Sequence, residues 1–413
     1  MEVKLEIPDE STPSDRDRPG MAHSATLEVP MRRISRRTLL STAATAAAVA
    51  TTRCSEPRQA AAPTVPLPSK TEQFSGKFLE DVSAGARACL GYIGDRLGMF
   101  KAMAGAGPVT VDELARRTAL HPRYVRAWLE TMATAEYIEY QPAGKTFLLP
   151  PEHAAVLADE ESPLFMGAML GLLVPFALAT PKVQEAFRTG KGVQYSDYPP
   201  EFFDDIARGS APGFKHKLVQ TWIPTMPQVE ERLRAGGRAA DVGCGQGVAS
   251  LVMAKAFPQS RFWGFDPHLP SIERARANAR TQGLADRVTF EAVDGVSLEA
   301  RQFDLISSFD VLHDSADPPA IVRAVRRALA PEGTYLASEP NLSPNLEENI
   351  HPWGRFIYPV TTLYCMSVSL GQGGAGIGSD INEGMLRGWS QMAGLRRFRK
   401  LPVQDAELFE MRI

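Results

Sequence analysis

Cysteine is scarce in this chain: four residues in 413, at Cys54, Cys89, Cys244 and Cys365, with no C-x-x-C spacing among them. That scatter argues against a zinc site and against a disulfide framework, and no metal is expected. Charge of one sign is also missing. Lys and Arg number 45 against 48 Asp and Glu, a net charge of −3. Such a chain has no general attraction for phosphate, so specific nucleic-acid binding is not expected. No uninterrupted apolar run reaches the ~18 residues of a membrane-spanning helix. What is present is ordinary globular material, 44% hydrophobic and 23% charged. At 413 residues the chain is long for one core, and two domains are the natural division.

Residues 1–70 read as a leader. Residues 1–30 are polar and aperiodic, the composition of a disordered segment. The run Ser35-Arg36-Arg37-Thr38-Leu39-Leu40, followed by the Ala-rich residues 41–50, has the plan of a twin-arginine export signal. Ala60, Ala61 and Ala62 offer a cleavage point, and Met31 is an alternative start. Arg53 directly before Cys54 speaks against lipidation there.

Residues 71–155 predict a winged helix. Phe78, Val82, Ala86, Cys89, Leu90 and Ile93 recur at helical spacing. Thr110-Val111-Asp112-Glu113 is a capping box, and Pro122 suits the first turn of a third helix carrying Val125, Trp128, Leu129 and Met132. Two short strands near 137–140 and 146–149 flank Pro142-Ala143-Gly144 as the wing. Arg123 and Arg126 are the only basic residues of the third helix, so a packing or dimer-forming role is expected of it rather than groove reading. Residues 156–232 predict a helical connector with a strongly apolar stretch at 163–178, suited to a buried helix, a cavity wall or a dimer interface.

Residues 233–413 carry the chemistry. A short strand ends in Asp241-Val242-Gly243-Cys244-Gly245-Gln246-Gly247 and runs into a helix from Val248. Glycines belong where backbone must turn tightly and approach a ligand. A second strand, 261–265, ends at Asp266, about 20 residues past the loop, where an acid accepts from ribose hydroxyls. A dinucleotide is the rival ligand, but Val248 stands where that pattern asks for Gly or Ala. A third strand, 288–292, leads to Asp294; a fourth, 303–309, to Asp310-Val311-Leu312-His313-Asp314; a fifth, 334–338, to Glu339-Pro340. Residues 398–403 and 408–413 suit a closing antiparallel pair.

These residues resemble motif I and the later motifs of class I S-adenosylmethionine-dependent methyltransferases, over about 235–340. The resemblance implies an α/β fold: a Rossmann-like sheet with helices on both faces, behind an α-rich winged-helix domain. It implies S-adenosylmethionine as cofactor, bound by Asp241, Gly243, Gly245, Gly247, Asp266, Asp294 and Asp310, with Asp294 at the adenine amino group. Winged helix before cofactor domain is similar to the plan of small-molecule O-methyltransferases, and of bacterial methyltransferases of unassigned substrate. There the winged helix mainly forms a homodimer and closes the pocket, and a His-Asp-Trp motif holds the general base. This chain has His313-Asp314-Ser315: the His and Asp match, the Trp does not. The resemblance implies His313 as base, with Asp314 either orienting it or opening the next turn. A His there suits the task, because a hydroxyl attacks a sulfonium methyl best once its proton is removed.

The insertion Asn341–Gly378 mixes His351, Trp353, Phe356, Tyr358 and Tyr364 with the glycines of 371–376, as expected of a lid that grips a flat small-molecule substrate beside a mobile loop. A winged-helix regulator that senses S-adenosylmethionine is the alternative reading. The methyl donor is made inside the cell, so cytoplasmic activity is expected, with the leader uncleaved or inefficient.

Overall fold

The chain, seen here as a computed structural model, is described over residues 68–413 apart from 341 and 405. The arginine pair and Cys54 of the expected leader lie outside the described residues. Ser69 opens α1 (Lys70–Arg96) through a capping box in which its backbone N–H donates to Glu72 Oε2 at 2.8 Å. α2 (Met99–Met103) follows, and then α3 (Val111–Thr118), opened by the Thr110–Glu113 box. Pro122 begins α4 (Pro122–Thr134), which buries Val125, Trp128, Leu129 and Met132. The wing is the antiparallel pair β1 (Glu139–Gln141) and β2 (Thr146–Leu148).

The contact face of α1 differs from expectation. Phe78 and Val82 are exposed, and the buried positions are Gly91 and Gly94. The reason is close approach: a Cβ on Gly94 would lie 2.5 Å from Trp128 Cζ2. The Trp128 indole N–H donates to the Leu90 carbonyl at 2.9 Å across the same crossing. A glycine notch, not the apolar stripe, seats α1 on α4.

The connector holds α5 (Pro151–Leu157), α6 (Leu173–Thr189), α7 (Pro200–Gly213), a π-helical stretch Phe214–Trp222, and α8 (Pro227–Arg234). The helical run Gly167–Thr189 is long and apolar enough by length and composition to cross a membrane. This corrects the expectation that no segment qualifies. Its Phe176, Ala179 and Val183 are buried in one cluster with Tyr198 and Phe202, while Leu178 and Phe187 are exposed.

The rest alternates strand and helix: β3 (Arg238–Val242), α9 (Val248–Ala256), β4 (Arg261–Asp266), α10 (Leu269–Thr281), β5 (Val288–Ala292), β6 (Phe303–Phe309), α11 (Pro318–Ala328) and β7 (Leu329–Ser338). α12 (Pro352–Val360), α13 (Met366–Gly371) and α14 (Glu383–Ala393) precede β8 (Arg397–Lys400) and β9 (Leu408–Arg412). The sheet order is β5-β4-β3-β6-β7-β9-β8, parallel except where β9 enters. Successive strand residues point to opposite faces, so Ala239 joins the core under α8, α9 and α10, while Ala240 joins the one under α11 and α14. This is the Rossmann-like sheet with helices on both faces. Strand order reverses between β3 and β6, and ligands of such sheets bind outside the carboxyl ends at that reversal.

Candidate active site

A cleft of about 780 Å³ opens at that reversal. Asp241, Gly243, Gly245, Asp266, Asp310, His313 and Asp314 all line it; Gly247 and Asp294 do not. The three loop glycines serve different ends: at Gly243 a Cβ would lie 2.3 Å from Val311 Cγ2, so this glycine lets the loop pass close under the segment after β6. Gly245, at φ +50, has nothing within 4 Å of where a Cβ would stand, so bare backbone faces open space. At Gly247 a Cβ would lie 2.4 Å from Phe290, so this glycine lets α9 begin close against β5. Asp294 is exposed, and its carboxylate accepts from the Val296 N–H at 3.1 Å, capping a short turn.

The acids differ in environment. Asp266 is buried, accepts from Gly245 N–H at 2.9 Å and His268 N–H at 2.8 Å, and keeps lone pairs for further donors. Burial pushes its carboxyl upward, against those two backbone bonds. Asp241 accepts from Ser307 Oγ at 2.8 Å and Ser250 Oγ at 3.4 Å; burial pushes it up to about 7 despite them. Asp310, at φ +57, is open to the cleft yet surrounded by protein. Loss of water pushes it up to about 6 and neighbouring Glu339 adds to this, while His313 opposes. Asp314 is driven to about 7 mainly by the same loss of water.

His313 sits just past β6 and is buried. Its Nδ1 lies 2.7 Å from Glu339 Oε2, just past the neighbouring strand β7. Glu339 also accepts from Leu312 N–H at 2.8 Å and from Val311 and His313 N–H at 3.3 Å. The carboxylate therefore fixes the loop and the ring's orientation, and in the neutral imidazole it favours the tautomer with the proton on Nδ1. The ring's orienting partner is Glu339, where the sequence had offered Asp314. Burial alone would lower the imidazole, but the adjoining Cys365 sulfur and Glu339 outweigh it and hold it above the ordinary histidine range.

Aromatic rings wall the cleft. Tyr195 stacks on Phe203 at 4.8 Å, Phe203 meets His268 at 4.3 Å, and Phe202 meets Tyr364 at 4.8 Å. From the insertion, Trp353 and Tyr364 reach the cleft. His351 instead caps α12, and the Tyr358 hydroxyl accepts from Asn349. The glycines of 371–376 depart from the expected mobile loop. Gly371 and Gly374 are packing glycines, where a Cβ would lie 2.2 Å from the Val193 carbonyl and 2.7 Å from Ala316 Cα. The sequence reading missed Glu339 and the connector aromatics Tyr195 and Phe203. The signal for Glu339 was its place at the end of the strand beside the one that carries His313.

Strand order, bare glycine backbone, a buried acid closing β4 and a carboxylate-held histidine fit one class: a winged-helix protein with an S-adenosylmethionine-dependent methyltransferase domain. The donor set suits that cofactor: Gly245 leaves space beside Asp266, and the cleft carries carboxyl groups that a cationic sulfonium can face. Comparison with known proteins agrees. Residues 233–372 match the family model of a methyltransferase domain, and residues 85–159 that of the Rv2258c-like winged HTH domain.

Among solved structures, the chain is similar in fold to the mitomycin 7-O-methyltransferase MmcR (TM-score 0.60, 20% identity, 83% of this chain and 98% of that one). A putative O-methyltransferase from Nostoc punctiforme is comparable (TM-score 0.61, 19% identity, 84% and 99%). So is human N-acetylserotonin methyltransferase in complex with SAM (TM-score 0.59, 18% identity, 84% and 98%). By sequence, it is similar to a ubiquinone biosynthesis O-methyltransferase of Neisseria meningitidis, 30% identical over 145 residues, or 30% of this chain. The chain spans 59% of that relative's length. A 27-O-demethylrifamycin SV methyltransferase of Amycolatopsis mediterranei is 29% identical over 188 residues, 43% of this chain and 68% of the relative.

Proposed function

We propose that this protein transfers a methyl group from S-adenosylmethionine to an oxygen of a small-molecule acceptor, with His313 as general base. The observation that carries the reading is the His313–Glu339 pair, 2.7 Å apart on the wall of the donor cleft. The bound donor supplies an electrophilic methyl on a sulfonium. Asp266 would hold the ribose hydroxyls, while Gly243, Gly245 and Asp241 form the floor. Asp310 would face the donor's positive charge. Gly247 is read as support for α9 rather than as a contact, and Asp294 would reach the adenine only by turning from its own cap. Nε2 of His313 takes the acceptor's hydroxyl proton while Glu339 holds Nδ1–H, so the imidazolium forms beside a fixed carboxylate. The aromatic walls exclude water and hold a flat acceptor in line.

The test is His313→Ala. Its kcat should fall about 10²–10⁴-fold while S-adenosylhomocysteine affinity stays near wild type. The acceptor is to be found by profiling a deletion strain for metabolites lighter by one methyl group. A variant within a few-fold of wild type on that acceptor rejects the base role. The regulator reading gains nothing from α4, whose exposed surface mixes Arg123 and Arg126 with Tyr124 and Glu130. Activity is assigned to the cytoplasm, where the donor is made. The unit is read as a homodimer through the winged-helix region.

A further inference from the structure

Two consecutive carboxylates on α7 face in different directions. Asp204 Oδ1 accepts from the Gln246 side-chain amide at 2.6 Å. Gln246 sits inside the glycine loop, between Gly245 and Gly247, both in the left-handed region with no side chain to fix them. The other Asp204 oxygen lies 3.7 Å from Arg274 of α10, the helix that starts just past Asp266. Asn278 of the same helix donates to the Gln246 carbonyl at 3.1 Å. One carboxylate thus joins α7 to both elements that frame the donor.

Asp205, about 100° further round the helix, has a fully buried side chain and faces the winged-helix region. It accepts from Arg208 at 3.0 Å and from Arg96 of α1. Arg208 also binds Asp95 of α1 at 2.9 and 3.1 Å, and Glu160 at 3.0 Å. Bare backbone at Gly171 makes room, since a Cβ there would lie 1.9 Å from Asp205 Oδ2. Ion pairs that are buried and multiply bonded hold a fixed geometry, whereas a surface pair would not.

We infer that Asp204 is a positioning residue of the methyl-donor site, through which α7, anchored to the winged-helix region by Asp205, holds the glycine loop in its donor-binding form. The inference rests on the donor site proposed above. It gives the winged helix a part in donor binding that needs neither DNA nor a second subunit. The loop's own backbone is permissive, so the energy that selects one loop conformation comes from outside it; beside Asp266 on the Gly245 N–H and Asn278 on the Gln246 carbonyl, Gln246–Asp204 is the side-chain bond that ties the loop to α7.

The test titrates S-adenosylhomocysteine calorimetrically into the full chain. Asp204→Ala and Gln246→Ala should each weaken binding about five- to twentyfold, the scale of one hydrogen bond to a charged group. The double variant should be no weaker than the worse single, because the two residues act as one bond. Asp204→Asn keeps an acceptor oxygen and should restore affinity to within about threefold of wild type. Arg96→Gln, remote from the ligand, should weaken binding by about threefold or more; melting curves check that each variant folds. Asp204→Ala within twofold of wild type, multiplying effects in the double variant, or no rescue by Asp204→Asn would overturn the inference and leave the proposed function standing. An unchanged affinity in folded Arg96→Gln would overturn the winged-helix link. A wild type that fails to bind S-adenosylhomocysteine would overturn both readings.

Discussion

Asp310 and Asp314 flank His313 on the wall of the cleft, and the protein packed around them pushes their carboxyls up to about 6 and about 7. Their raised values mean that each is partly protonated around pH 6.5 and ionised at pH 8. A cationic ligand binds the ionised form better. Affinity for S-adenosylmethionine should therefore rise from pH 6 to pH 8, with protons released on binding near pH 6.5. S-adenosylhomocysteine lacks the sulfonium charge and should gain less. Calorimetry in two buffers of different ionisation enthalpy reads both effects, and a donor-to-product affinity ratio flat across this range would defeat the argument. Glu339 acts in the opposite sense on His313, holding the imidazole's proton more tightly. A base works only when deprotonated, so the rate should climb with pH to a midpoint above the ordinary histidine range. Glu339→Gln removes the negative charge and should move that midpoint down while lowering kcat about tenfold to a hundredfold. A midpoint that does not move would show that the carboxylate merely fills space.

Elements whose signal is local were legible from sequence. The capping box at Thr110, the proline at 122, the glycine loop after β3 and the acid after β4 each lie within a few residues of what they specify. Elements whose role depends on a distant partner were not. Leu90 and Ile93 of α1 have the helical spacing of a core face, but Trp128, more than 30 residues on, seats the helix at Gly94 instead. His313 and Glu339 are 26 residues apart and meet only because β6 and β7 pair in register, with Phe309 opposite Ser338. The connector helices carry apolar residues on several sides, so no period marked Tyr195 or Phe203 as cleft walls. Gly247 shows both kinds of signal. Its place in the motif was plain, but its reason is the Phe290 ring beneath it. Gly247→Ala meets that ring and a φ of +80 together, and should cost about 2–4 kcal/mol of stability. Urea denaturation measures it, and a loss below half a kcal/mol would mean that loop and ring shift freely.

At the scale of the whole molecule, the winged helix raises the choice between DNA and a second copy of the chain. Its surface bears on both. α4 presents Arg123 and Arg126 beside Glu130, too little positive charge to neutralise a run of phosphates. α1 presents something else. Phe74, Phe78, Leu79 and Val82 are 67%, 60%, 67% and 56% exposed, at spacings of four, one and three along one helix. That spacing puts them on one face, and a contiguous exposed apolar stripe of this size marks a protein contact rather than ordinary surface. The residues that seat α1 on its own chain, Gly91 and Gly94, lie near its C-terminal end, which leaves the stripe projecting over the first half of the helix. A second copy offers the same stripe and can cover it isologously. The purified protein should therefore sediment as a dimer at micromolar concentration. Phe78→Glu with Val82→Glu should give a folded monomer, since both side chains are exposed within one chain and their loss costs the core nothing. Binding to a DNA duplex should stay weaker than micromolar at physiological salt. A wild-type monomer, or tight duplex binding that weakens steeply with salt and is lost in Arg123→Ala with Arg126→Ala, would turn the assignment around and make α4 the working surface of the domain.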